Sequence, residues 1–358
     1  MRVRLEDVCE KESSKLKQSD VIDQNGMYPV YGASGYLGNI NTYQQSNYYI
    51  AVVKDGAGIG RTMLLPPESS IIGTMQYLIP KDNVLPEYLY YVVKAKHLEK
   101  YFSGATIPHI YFKDYKNEQF DLVSFEEQRE IINRLKKIEI IIDNLSKNLL
   151  LLDELVKARF VEMFGDPFLN EKGWITKPLI DMGNCKNGMN FHYNENGCEV
   201  KCLGVGDFKD LSIINNIESL QTVSLNEMPS EEYMLRDNDI VFVRSNGNKA
   251  LVGRSIVIYP GDVPTTFSGF CIRYRKYDDS IIVPYLLHVL KTDSFRNKMV
   301  GRGANIQNLN QQILASLIIP VPPLQLQNQF ALFVQEIDKS RLRELLAIKH
   351  IKLLLKNL

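Results

Sequence analysis

From Phe125 to about Met163, apolar residues fall at Ile131, Leu135, Ile138, Ile142, Leu145, Leu149, Leu152 and Val156, in alternating steps of four and three. Eight such positions in succession define a seam of two residues per heptad. That pattern predicts a coiled-coil helix rather than a broad globular face. Ser124 is placed to cap this helix, Glu127 completes a capping box, and Gly165-Asp166-Pro167 ends it. At 1.5 Å per residue the helix is roughly 55–60 Å long. A second helix is predicted over 324–357, about 50 Å long by the same rise. Its seam positions are Phe330, Val334, Ile337, Ile348, Ile351 and Leu355. Between them, Arg341 and Glu344 stand where Ile142 and Leu145 stand in the first helix. Either these polar positions fix the register of paired helices at a cost in stability, or the seam rotates through Leu342, Leu345 and Leu346.

Outside the helices the period shortens towards two. Residues 48–53 read as a strand, Asp55 to Gly60 as a glycine turn, and residues 61–65 as a returning strand stopped by Pro66-Pro67. Pro86 opens a predicted helix through Lys100, with Leu89, Val92, Val93 and Leu98 on its buried face. Further on, residues 239–244, the turn Ser245-Asn246-Gly247-Asn248 and residues 253–258 form a second predicted hairpin.

The two halves are copies. Gly104-Ala105-Thr106-Ile107-Pro108-His109-Ile110 returns as Gly303-Ala304-Asn305-Ile306-Gln307-Asn308-Leu309, an offset of 199 residues. At that offset Gln128 faces Gln327, and Ile131, Leu135 and Ile138 face Phe330, Val334 and Ile337. Lys54 corresponds to Arg244, Gly60-Arg61 to Gly253-Arg254, Tyr88-Leu89 to Tyr285-Leu286, and Lys94 to Lys291. A repeat this long is a duplicated domain-plus-helix, not a solenoid, whose repeats run to about 20–50 residues. The expected architecture is α+β: β-rich domains over 1–120 and 168–318, followed by helices over 121–167 and 319–358.

Composition narrows the class. Apolar residues are 45% and charged residues 23% of the chain, as in a soluble globular protein. No apolar run reaches the ~18–20 residues that span a bilayer. Five scattered cysteines fit free thiols in a reducing cytoplasm. Net charge is zero but segregated: residues 166–235 carry 5 Lys/Arg against 11 Asp/Glu, and residues 236–302 carry 11 against 6. The second segment is a candidate basic face of the kind that phosphates require.

Catalytic patterns are weak. The glycines at 56, 58 and 60 precede a β-run rather than the helix a dinucleotide fingerprint needs. Asp181 with Glu199 and Lys201 has the spacing of a nuclease site but no counterpart in the first copy. Cys185, His192, Cys198 and Cys202 lack paired C-x2-C knuckles. The chain shows no phosphate-binding loop, zincin motif or nucleophile elbow, which favours binding over catalysis. What remains is polar and basic: Lys54, Arg61, Thr106 and His109 in the first copy, and Arg244, Ser245, Asn246, Asn248, Lys249, Arg254 and Arg302 in the second. Arg and Lys suit a guanine edge or a phosphate, and Asn suits an adenine edge. The Gly-Ala boxes themselves read better as packing segments.

The order and duplication of these motifs resemble the specificity subunit of Type I restriction–modification systems. The family commonly writes the start of the conserved helix as P-x-P-P-L-x-E-Q; here Pro320-Val321-Pro322-Pro323-Leu324-Gln325-Leu326-Gln327 is one version, and Phe125-Glu126-Glu127-Gln128 ends the other without the prolines. The resemblance implies two target recognition domains, each reading half of a bipartite double-stranded DNA site. It implies helices paired antiparallel as a spacer that docks two modification subunits, with motor-nuclease subunits joining for restriction. S-adenosylmethionine, ATP and magnesium belong on those partners, with none in this chain. Half-sites about one DNA turn apart suit such a spacer. The competing expectation is a coiled-coil scaffold that organises partners without reading DNA.

Overall fold

The computed structural model describes residues 1–358 except 23, 105–107, 191–196, 209–211, 301–307 and 357–358. Two compact units emerge, 1–146 with 346–358 and 147–345, so that both long helices are divided between them.

In the first unit, Arg2–Arg4 (β1) is followed by the short helix Leu5–Val8 (α1). The strands Cys9–Ser13 (β2), Tyr28–Gly32 (β3), Gly35–Ile40 (β4), Tyr49–Val53 (β5), Thr62–Leu65 (β6), Ser70–Ile71 (β7) and Met75–Pro80 (β8) come next. Pro86–Ala95 (α2), Phe112–Tyr115 (α3) and Gln119–Asp121 (β9) lead to the long helix Phe125–Phe164 (α4). A four-stranded antiparallel sheet runs β2-β8-β5-β6, a small sheet β4-β3-β7, and β1 pairs with β9. Helix α2 is shorter than its apolar spacing predicts: it stops at Ala95, because His97 adopts a left-handed φ of 50° before a 3-10 turn. Leu98 is nevertheless buried with Leu89 and Val93 in a core that also holds Leu5, Ile50, Val52, Ile110 and Tyr115.

The second unit repeats this plan. Its strands are Thr176–Pro178 (β10), Gly183–Asn187 (β11), Cys198–Leu203 (β12), Ile213–Ile214 (β13), Gln221–Leu225 (β14), Asp239–Val243 (β15), Ser255–Ile258 (β16), Thr265–Phe267 (β17), Cys271–Lys276 (β18) and Ile318–Pro320 (β19). The large sheet runs β11-β18-β15-β16-β13, the small one β14-β12-β17, and β10 pairs with β19. Helices Val283–Lys291 (α5), Asp293–Val300 (α6) and Gln311–Ala315 (α7) precede the long helix Leu324–Lys356 (α8).

The base of each long helix is built on one plan. Gln128 and Gln327 are completely buried. Gln128 Oε1 accepts the Leu85 N–H at 2.8 Å, and its Nε2 donates to the Val123 carbonyl at 3.0 Å. Gln327 Oε1 accepts the Ile282 N–H at 2.9 Å, while Nε2 donates to Ser280 and Pro322 carbonyls at 2.9 and 2.7 Å. Leu85 and Ile282 are the N-cap residues of α2 and α5, whose first N–H groups have no partner within the helix. One amide therefore supplies both the acceptor that a neighbouring helix lacks and a donor for the chain entering its own helix. Beside it, the Tyr88 hydroxyl donates to the Asp121 carbonyl at 2.8 Å and the Tyr285 hydroxyl to the Pro320 carbonyl at 3.0 Å. The prolines present only in the second copy leave this junction unchanged in kind.

Along α4, Ile131, Leu135, Ile138, Ile142, Leu145, Leu149 and Leu152 are half-buried and Val156 is buried. Ser124 and Glu127 form the reciprocal capping box at 3.0 and 3.3 Å, and Gly165 leaves the helix with a φ of +74°. On α8, Phe330 is buried, and Val334, Ile337, Arg341, Glu344, Ile348, Ile351 and Leu355 are half-buried in one unbroken four-three register. Leu342, Leu345 and Leu346 are more than half exposed, so the seam does not rotate onto them. Within the second unit Arg341 pairs with Asp153, Asn148 Nδ2 donates to Glu344 Oε1 at 3.3 Å, and Phe160 meets Phe330 edge-on at 5.3 Å. Numbers rise on one helix as they fall on the other, so the two run antiparallel there. The polar seam pairs are geometrically specific, because a shift of one heptad leaves Arg341 and Asp153 unmatched.

Phe160, Phe164, Tyr285, His288 and Phe330 close the junction of the second unit. Loss of solvent around the His288 ring pushes its pKa down to about 4, although the Pro284 carbonyl at 2.8 Å partly opposes this. The folded ring stays neutral where the unfolded one, near 6.5, takes up a proton, so stability falls as pH drops from about 6.5 towards about 4. Thermal unfolding across that window should lose less in His288→Phe than in the native chain. By urea unfolding, Gln327→Leu should lose roughly 3 kcal/mol through stranded backbone groups, whereas the exposed Gln329→Leu stays within about 0.5 kcal/mol of native.

Candidate nucleic-acid interface

The two sequence-predicted hairpins occupy the same place in their sheets, and the chain treats their loops alike. Val53 N–H donates to the Arg61 carbonyl and Gly60 N–H to the Val53 carbonyl, both at 2.9 Å; Val243, Arg254 and Gly253 repeat the pair at 2.9 Å. Gly60 and Gly253 take φ of +80° and +74°, and a Cβ on Gly60 would lie 2.5 Å from the Glu99 nitrogen. Both positions therefore favour glycine. The last residue of each Gly-Ala box docks on the loop: Ile110 N–H donates to the Lys54 carbonyl and Leu309 N–H to the Arg244 carbonyl, each at 2.9 Å. Both residues are fully buried, which gives these ends of the boxes a packing role.

In the first unit Lys54 and His109 converge on Asp55. His109 Nδ1 lies 2.7 Å from Asp55 Oδ1, and Lys54 Nζ 3.8 Å from Oδ2. Arg61 is exposed but bridges sheets, its Nη1 donating to the Ala33 carbonyl at 2.6 Å. Phe102 and Tyr111 stand exposed nearby in sequence, and Tyr111 stacks on His109 at 6.3 Å. Thr106 lies outside the described residues.

In the second unit Ser245 occupies the place of Asp55, so the loop lacks that carboxylate. Arg244 and Ser245 N–H groups donate to the Phe270 carbonyl at 2.8 and 3.4 Å, and Arg244 Nη1 reaches the Gly269 carbonyl at 3.3 Å. Asn246 Oδ1 accepts from Asn248 N–H at 2.8 Å, and Asn248 Oδ1 from Ala250 N–H at 3.0 Å. The asparagine oxygens thus shape the loop. Lys249 is exposed at its tip, and Arg296 supports it from below through Ala250 and Val252 carbonyls at 3.0 and 3.1 Å. Arg254 Nη1 donates to the Phe208 carbonyl at 3.1 Å, matching the bridging geometry of Arg61. Arg302 lies outside the described residues.

The cation-rich segment 236–302 does not display its charge as one face. Arg273 is buried, Arg275 grips Asp239 at 2.7 Å, Arg236 pairs with Glu231 at 2.9 Å and Lys276 with Asp279 at 3.5 Å. Lys291 lines a cleft of about 470 Å³ beside α4, α5 and α8. Desolvation pushes its pKa down to about 8, and its Nζ donates to Ser212 Oγ at 2.5 Å. The segment's cations are therefore dispersed, with Lys249 exposed in the hairpin loop and Arg244 half-buried beside it.

The other sequence patterns carry no site. No helix follows the glycines at 56–60; β6 does. Lys201 is held by Glu218 at 3.4 Å and by the Glu218 and Leu220 carbonyls. No group of three or more His, Cys, Asp or Glu able to hold a metal occurs among the described residues, which exclude His192. Burial raises the thiols of Cys185 to about 11 and of Cys202 to about 12. No described helix is long and apolar enough to cross a membrane.

Sequence reasoning passed over Asp55, Thr74 and Phe270. The signal was present as Gly73-Thr74 and Gly269-Phe270, each a glycine followed by a differing residue just before matched strands.

A family model described as the Type I restriction modification DNA specificity domain matches residues 1–152 and again 171–350. The specificity subunit of the Type I restriction enzyme MjaVIII from Methanocaldococcus jannaschii is 24% identical over 312 residues, covering 81% of this chain and 72% of that protein. The StySPI specificity subunit of Salmonella potsdam is 25% identical, covering 76% of this chain and 63% of its own length. Among solved structures, the Type I system S subunit from M. genitalium shares the fold at a TM-score of 0.57 and 17% identity, covering 100% of this chain and 94% of that one.

Proposed function

The chain belongs to the family of Type I restriction–modification DNA specificity subunits, and from that premise we propose how its two halves divide the work. Each β-rich unit reads one half of a bipartite double-stranded DNA target. The hairpin tips, with Lys54 and His109 in one unit and Arg244, Ser245, Asn246, Asn248 and Lys249 in the other, face the DNA. Arg61 and Arg254 brace the loops through the Ala33 and Phe208 carbonyls and add positive charge to the two readers. The observation that carries this reading is a common backbone frame bearing different side chains at corresponding loop positions. A shared frame suits one kind of ligand; unlike side chains suit two unlike sequences.

The paired helices set the gap between half-sites and dock two modification subunits, joined by motor-nuclease subunits for restriction. S-adenosylmethionine, ATP and magnesium act on those partners, and the chain itself is a non-catalytic, cytoplasmic subunit. The scaffold alternative gives no reason for two readers on one frame.

Two measurements test the division. In the reconstituted complex with its modification subunit, Lys249→Glu with Arg244→Gln should weaken DNA binding. The slope of log K against log salt should fall by about one for each phosphate contact removed. An unchanged affinity and slope would remove this loop from the interface. Four residues inserted into both α4 and α8 should alter the number of unread base pairs between methylated half-sites and leave the half-sites themselves intact; a constant gap would contradict the spacer role.

A further inference from the structure

Thr74 and Phe270 occupy one position of the common frame. In the first unit the N–H groups of Lys54 and Asp55 both donate to the Thr74 carbonyl, at 3.0 and 3.2 Å. In the second, the N–H groups of Arg244 and Ser245 both donate to the Phe270 carbonyl. The residues that follow them, Met75 and Cys271, pair with Val53 and Val243 in the same register. Thr74 is exposed, and Phe270 is 60% exposed.

Most singly exposed apolar side chains call for no explanation. Phe270 differs in how it is held and in what surrounds it. Gly269 packs so closely that a Cβ there would lie 1.9 Å from Asn190 Oδ1. Ser268 Oγ accepts the Phe270 N–H at 3.3 Å, and Arg244 clamps the Gly269 carbonyl from the other side. The backbone on both sides of the ring is therefore fixed, while the ring itself projects beside the basic loop. An aromatic ring presented rigidly next to an arginine and amide side chains matches the apolar part of a base edge, and the thymine C5-methyl group is the apolar feature of the major groove.

We propose that Phe270 is a specificity-determining residue of the second unit, making an apolar contact to the methyl group of one thymine in the half-site that this unit reads. This rests on the reading of the second unit as a DNA reader. Thr74, short and polar at the same position, gives the first unit a different preference there.

The test uses the complete complex of this chain with its modification subunit. Long-read methylation sequencing defines the native motif; duplexes carrying uracil at single thymine positions then remove one methyl group at a time. One uracil in the second unit's half-site should weaken native binding roughly five-fold or more, the lower end for losing one specific base contact. The same uracil should have no further effect on Phe270→Ser, which carries no methyl group, and whose methylated motif should relax at that base pair alone. A half-site without any uracil-sensitive thymine overturns the proposal even if no variant can be made. So does a Phe270→Ser motif identical to the native one, or a folded variant that loses all methylation. A native complex that methylates no bipartite motif would instead defeat the underlying reader assignment.

Discussion

A buried glutamine amide at the foot of each long helix is the constraint on which the architecture turns. Gln128 and Gln327 have no exposure, and each joins the start of its long helix to the N-cap residue of α2 or α5. Burying a primary amide is costly unless its donors and acceptor are met, so this junction tolerates little movement. Within each unit the amide thereby ties the β-rich part to the first turn of its long helix. The tyrosine hydroxyls beside them and the cross-helix pair of Arg341 with Asp153 fix what the amides leave adjustable.

Above this base the two copies agree in backbone and differ in side chain. The hairpin bonds, the positive-φ glycines and the docking of Ile110 and Leu309 are the same to within a few tenths of an ångström. Yet Asp55 becomes Ser245 and Thr74 becomes Phe270, while Lys54 becomes Arg244. The first loop offers a lysine and a histidine gathered on a carboxylate; the second offers an arginine, amides and an apolar ring. The two copies keep the backbone device that positions a loop and differ in the side chains it presents.

Much of the frame was legible in the sequence because it is periodic. Seam positions advertise themselves through four-three spacing, and hairpins through β-runs around glycine. Even Arg341 and Glu344 could be placed at seam positions by register, although sequence did not decide between a polar seam and a rotated one. Exposure of Leu342, Leu345 and Leu346 decides it. The loop surface was legible only in outline. A cation in sequence does not reveal whether it faces solvent or what holds it: Arg273 disappears into the sheet, Arg61 is exposed yet tied to the Ala33 carbonyl, and Lys249 is exposed in the loop. Likewise, Asn246 and Asn248 looked like base-reading amides, yet their oxygens bind their own loop. These outcomes depend on tertiary contacts that no local pattern encodes.

Long-read sequencing of DNA methylated by the native chain together with its modification subunit tests the account most directly. A shared frame with divergent loops predicts one asymmetric motif, two unlike half-sites separated by an unread gap of fixed length. A contiguous motif, or two identical inverted halves, would contradict it.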